Sequence, residues 1–181
     1  MRTFACLFLV LLAALPARAQ APDASLPGML AELKAAPTPE AATALAQQIA
    51  AAWLGEATPA VRLLLESGMR ALDAHATAEA TRDFAAAVTL QPDLAEAWSQ
   101  RALAHFQAGD AAAAVDDLAH ALTLDPDHFT ALETLSYVAQ SRDDWLGALA
   151  AWKKLLAVDP EISGGEQRLK MLERRALGQN T

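Results

Sequence analysis

From residue 38 onward the apolar residues of this chain recur three and four positions apart, the spacing that lays one stripe along a helix. In the stretch Ala111–Leu124 the stripe is Ala114, Val115, Leu118, Ala121 and Leu122. The preceding residues 95–108 place Trp98, Ala102, His105 and Phe106 at the same spacing. Gly109-Asp110 lies between them: glycine accepts the positive φ of a helix end, and aspartate caps the next start. Asp125-Pro126 then closes the second helix, because proline cannot continue it and the residue before proline avoids the α region. These 34 residues predict one helical hairpin. Upstream, Thr38-Pro39-Glu40 predicts a helix to about Leu54 with Leu45, Ile49 and Trp53 inward, and Thr58-Pro59 predicts another start of the same kind. A short helix is expected around residues 29–33. Downstream, residues 163–177 carry Leu169, Leu172 and Ala176 on one stripe, with Arg174 and Arg175 in the last turn, where the helix dipole favours cations. Gly178 is the expected closing residue.

The hairpin is written three times. AVTLQPDLAEAW, ALTLDPDHFTAL and LLAVDPEISGGE align, and Pro92, Pro126 and Pro160 recur every 34 residues. A fixed period of this size signals units that cannot bury their apolar faces alone and stack to do so. With these residues in view, the chain resembles the tetratricopeptide repeat. The first unit, residues 61–94, matches with Gly68, Ala80, Phe84, Ala87 and Pro92. The second, 95–128, matches with Trp98, Gly109-Asp110, Ala114, Ala121 and Pro126, and the third, 129–162, with Leu135, Ala148, Trp152 and Pro160. Departures stand at the tyrosine position (Ala71, His105, Ala139), at Arg101 in a usually apolar place, and in the first turn, Ala74-His75-Ala76-Thr77, which lacks glycine.

The resemblance implies an all-α, right-handed α-α superhelix of three helix-turn-helix repeats. Residues 20–57 would form a flexible leader and N-terminal capping helices, and residues 163–181 a C-terminal capping helix. Small residues at Gly68, Ala80, Ala102, Ala114 and Ala148 let paired helices approach. Phe84, Leu118 and Trp152 are expected to fill the space between hairpins, each burial contributing about 1.5–3 kcal/mol.

Composition changes the picture mainly at the N-terminus. Arg2, the uncharged apolar run 4–15, Pro16 and Ala17-Arg18-Ala19 have the layout of a signal peptide cleaved after residue 19. The run falls short of the roughly 20 residues a membrane span needs. The expected mature protein is periplasmic or secreted, of exported bacterial type, with no integral membrane span after cleavage. Its one cysteine, Cys6, lies in the leader, so neither disulfides nor a catalytic thiol are expected. The 22 acidic residues against 14 Lys and Arg give a net charge of −8, which disfavours nucleic-acid phosphate as a partner.

Catalytic patterns are sparse, and the expectation is that the protein is not an enzyme. His75, His105, His120 and His128 have no metal-ligand spacing, so no metal and no cofactor are expected. Asp125, Asp127 and His128 crowd one helix end without the register of a calcium loop. Asp116-Asp117 and Asp143-Asp144 are adjacent pairs that point about 100° apart on a helix.

The expected site comes from the resemblance. In tetratricopeptide arrays the first helix of each hairpin lines a concave face that takes peptide segments. Carried onto this chain, those positions include Leu65, Glu66, Met69, Leu72 and Asp73 from the first unit. Gln100, Leu103 and Phe106 come from the second, and Glu133 and Tyr137 from the third. Met69, Leu103 and Tyr137 stand one period apart and should form an apolar stripe with Leu72 and Phe106 beside it. Glu66, Asp73, Glu96 and Glu133 would favour a neutral or basic protein or peptide segment with apolar anchors. Relatives that clamp a carboxylate use lysine and asparagine where Leu65, Ser99, Met69 and Leu103 stand here. The alternative is an assembly subunit of a cell-envelope complex, using the convex face or the solenoid ends.

Overall fold

The computed structural model describes residues 25–178, and among these it contains nine helices and no strand. The predicted signal peptide, with Cys6, lies outside the described residues. Two helices come first, α1 (Leu26–Lys34) and α2 (Pro39–Gly55). Three hairpins follow: α3 (Pro59–Asp73) with α4 (Thr77–Leu90), α5 (Ala95–Gln107) with α6 (Ala111–Leu124), and α7 (Phe129–Ser141) with α8 (Trp145–Val158). Helix α9 (Gly165–Ala176) packs against α8. Each hairpin also packs its second helix on the first helix of the next, which generates the superhelical solenoid.

The repeats agree at their corners. Pro92, Pro126 and Pro160 each follow the last residues of a second helix and face solvent, so they terminate helices rather than fill the core. Within each hairpin the fifteenth residue has positive φ: His75 (56°), Gly109 (86°) and Asp143 (59°). The turn therefore demands a left-handed residue in every repeat, and only the second repeat supplies glycine. Asp110 and Asp144 cap the following helices by accepting the N–H of Ala113 and Gly147. Thr58 does not cap α3 with its side chain; its own N–H is instead held by Gln91 Oε1 at 3.0 Å.

Close approach within hairpins depends on small residues, as expected. A Cβ placed on Gly68 would lie 2.5–2.8 Å from ring carbons of Phe84. In the third repeat Ser136 stands at the glycine position and turns its hydroxyl to good use, donating to the Ala148 carbonyl at 3.0 Å. Ala80, Phe84, Ala114, Leu118, Ala148 and Trp152 are buried. Trp98 is only half-buried, its Nε1 donating to the Pro92 carbonyl and its ring stacked on His120.

The N-terminal helices depart from the expected cap. Helices α1 and α2 do not stack in front of α3; they run back along the corners between repeats. Trp53, near the end of α2, stacks on His128 at 3.9 Å and tilts against Phe129 at 4.8 Å. Lys34 reaches Asp127 at 2.7 Å, and α1 packs on α8. Gln91 ties the far end by donating to the Glu56 carbonyl, while Pro39 at the near end shares a cleft with Pro160 and Glu161. A 17-residue helix is about 25 Å long, enough to cross all three corners. Leu33, Ile49 and Trp53 therefore join Leu132, Trp152 and Leu155 in one apolar core.

Candidate functional site: the concave face

The first helices of the hairpins, α3, α5 and α7, line the concave side. Their predicted site residues separate into those that present surface and those that do not. Leu65 is fully buried, and Leu72 is 7% exposed. Both belong to the core of the first repeat, with Val61, Phe84 and Ala97; Leu65 offers a partner no contact, and Leu72 shows only an edge. Met69, Leu103 and Phe106 are half-buried, and Tyr137 is 39% exposed. Glu66 and Gln100 are half-buried, and Asp73 is exposed. An open cavity of about 640 Å³ is lined by Leu72, Asp73, His75, Thr77 and Gln107, at the edge where the first hairpin turns.

The opposite edge is closed. Glu96, expected as a rim carboxylate, is buried; its Oε2 lies 3.1 Å from Nε2 of the fully buried His128, and its Oε1 accepts from Gln100. His128 Nδ1 faces the Thr130 hydroxyl at 3.1 Å and accepts the Ala131 N–H. His128 thus works as the cap of α7 and as the seat of Trp53. Asp125 accepts the Asp127 N–H in its own turn, and Asp127 pairs with Lys34. The three residues that crowd this helix end are each occupied with structure.

At the C-terminal end the site gains a residue that the repeat pattern did not indicate. Arg168 of α9 lies 3.9 Å over the Tyr137 ring and 4.8 Å from the Trp152 ring, and donates to Ser136 Oγ at 3.2 Å. Burial pushes its pKa down, opposed by Tyr137 and Glu133. Glu133 is shifted upward, chiefly by burial, with Arg168 pulling the other way. Glu133 therefore faces a cation of its own chain. Sequence alone offered one clue, the position of Arg168 in a helix that follows the last repeat as a further first helix would.

Arg101, out of place against the repeat pattern, also has a structural partner. It makes a two-pronged ion pair with the buried Asp117, at 2.8 and 2.6 Å, and lies over the Trp98 ring at 4.8 Å. His105 Nε2 sits 3.8 Å from the same carboxylate. Among the described residues no cluster of His, Cys, Asp and Glu is arranged to hold a metal ion, and no helix is long and apolar enough to cross a membrane.

Comparison with known proteins agrees with this geometry. The family model described as tetratricopeptide repeat matches residues 95–128. A TPR repeat-containing protein of Rhizobium etli is 26% identical over 160 residues, covering 88% of this chain and 78% of its own. The Sgt2 TPR domain from Aspergillus fumigatus superposes with a TM-score of 0.63 at 25% identity, over 68% of this chain and 83% of that one. The first TPR of Spaghetti (RPAP3), solved with the HSP90 peptide SRMEEVD, gives 0.62 at 18% identity, over 66% and 94%. Three hairpins at a 34-residue period, matching corners and these similarities together make the chain a tetratricopeptide-repeat protein.

Proposed function

We propose that the protein is an exported scaffold, periplasmic or secreted, that captures a segment of a partner protein on its concave face and performs no chemistry of its own. The fold is one used for protein–protein interaction, and the similar Spaghetti domain is solved with a peptide bound. The observation that carries the reading is the stripe of Met69, Leu103, Phe106 and Tyr137. Tyr137, with Arg168 over one face of its ring, stays 39% exposed beside three half-buried apolar side chains, across three successive hairpins. Such a preformed groove suits an amphipathic segment.

Selection for a neutral or basic segment rests on Glu66 and Asp73. Glu96 is engaged with His128 and Gln100, and Glu133 faces Arg168. The segment is accordingly held by apolar anchors toward Tyr137 and by the carboxylates toward the first repeat. The test is site-specific photo-crosslinking in the native host. A crosslinker at 106 or 137 should give a discrete adduct, one at the exposed Leu146 should not, and Tyr137→Ala should abolish the adduct at 106. Adducts from 146 alone would place the partner on another face. Cell fractionation with detection of a processed N-terminus checks export.

A further inference from the structure

Helix α3 differs from α5 and α7 in a way that the repeats make measurable. The third and tenth residues of each repeat, both on its first helix, lie on the side turned toward the preceding hairpin. In the second and third repeats these are Ala97 with Ala104 and Ala131 with Val138, and none of the four has any exposed surface. They are sealed by α4 and α6. The same positions in the first repeat are Leu63, 66% exposed, and Arg70, also exposed. Helices α1 and α2 leave this face open because they lie against the corners and the third hairpin. A surface shaped to take a helix stands bare, and it carries leucine where the covered copies carry alanine.

We propose that this face joins two copies of the chain about a twofold axis, α3 packed antiparallel on α3. Charge selects a second copy as the occupant. Glu66 and Arg70 lie one turn apart on the same flank of α3. A helix of either uniform charge would meet repulsion from one of them. An antiparallel copy sets each Glu66 against the other copy's Arg70, so both carboxylates meet guanidinium groups. That register places Leu63 between Arg70 and Ala74 of the second copy, against a methyl group and an aliphatic stem.

The far end of the solenoid argues the same way. Helix α9 covers α8, and its exposed surface carries Arg174, Arg175 and Lys170, the last paired with Glu166 at 2.7 Å. Head-to-tail stacking would press Leu63 onto a charged surface and leave open ends, whereas head-to-head pairing closes after two copies. Glu66 borders both this face and the groove, but Leu63 and Arg70 do not belong to the groove, and its exposed anchor Tyr137 lies two hairpins away, so the two readings are tested apart.

Sedimentation equilibrium of the purified protein at about 1–100 µM tests it, because mass action makes a dimer concentration-dependent. The expected result is a monomer–dimer equilibrium that Leu63→Glu weakens at least about tenfold, each dimer losing both leucines. Circular dichroism should be unchanged, because the site is exposed. Glu66→Arg and Arg70→Glu should each weaken association, and the double reversal should restore it to within about threefold, as complementary pairs require. Tyr137→Ala should leave it alone. A monomer at every concentration overturns the proposal. So does a dimer indifferent to Leu63→Glu, or one abolished only by changes on α9.

Discussion

At the scale of single residues, the departures from the repeat pattern each have a local physical cause. Arg101 is tolerated in an apolar place because Asp117, sixteen residues on, meets it with both carboxylate oxygens, and Trp98 receives its flat face. Ser136 is tolerated at a glycine position because its hydroxyl finds the Ala148 carbonyl. The absent glycine in the first turn is a different matter, since the backbone at His75 still adopts φ 56°. A side chain in that region costs about 1 kcal/mol, less for residues that tolerate it best. We expect His75→Gly and Asp143→Gly each to raise stability by about 0.5–1 kcal/mol in urea melts, while Gly109→Ala lowers it by a similar amount. Position, not residue type, would then govern the effect.

At the scale of elements, helix existence was legible and helix placement was not. The stripe on α2, Ile49 and Trp53 inward, appears in the sequence as an amphipathic pattern, and both residues are buried. Periodicity states that a face is covered and is silent about what covers it. Trp53 found His128 and Phe129 at the start of α7, more than seventy residues away, rather than the open face of α3. A large-to-small change here removes aromatic packing worth about 3–5 kcal/mol. Trp53→Ala is therefore expected to release α1 and α2 while the hairpins persist. Hydrogen exchange should show lost protection over residues 26–55 and at the α7 start, with α3 and α4 retaining theirs. Uniform loss from α1 to α9 would mean that α1, α2 and the solenoid fold as one unit.

At the scale of the whole molecule, stability couples to pH through two carboxyls of the third repeat. Burial raises the pKa of Glu133 above 4.5 and that of Asp159 above 3.8. Asp159 is buried, and its Oδ1 has no hydrogen-bond partner. A carboxyl whose folded pKa is raised binds its proton more tightly in the folded state. Its favourable contribution is complete below the unfolded value and is lost as pH rises through the folded one. Acidification through the folded pKa values toward the unfolded ones should thus increase the stability that these two groups contribute. Asp159→Asn should be the more stable protein at neutral pH, with the gap narrowing on acidification. If wild type and variant shift in parallel, ionised Asp159 carries no penalty.

The sequence by itself determined the number of hairpins, their period, the proline corners and the small residues where helices touch. All of these are set within 34 residues by local sterics, capping and helical spacing. Tertiary structure alone decided which concave residues keep a surface. Leu65 and Leu72 share a helix face with Met69 in the repeat register, yet the first hairpin closes over two of the three. It also decided that Arg168 would answer Glu133 and that the N-terminal helices would bypass α3. Those outcomes depend on contacts between residues far apart in the chain, where burial is a property of the assembled surface and no local pattern encodes it.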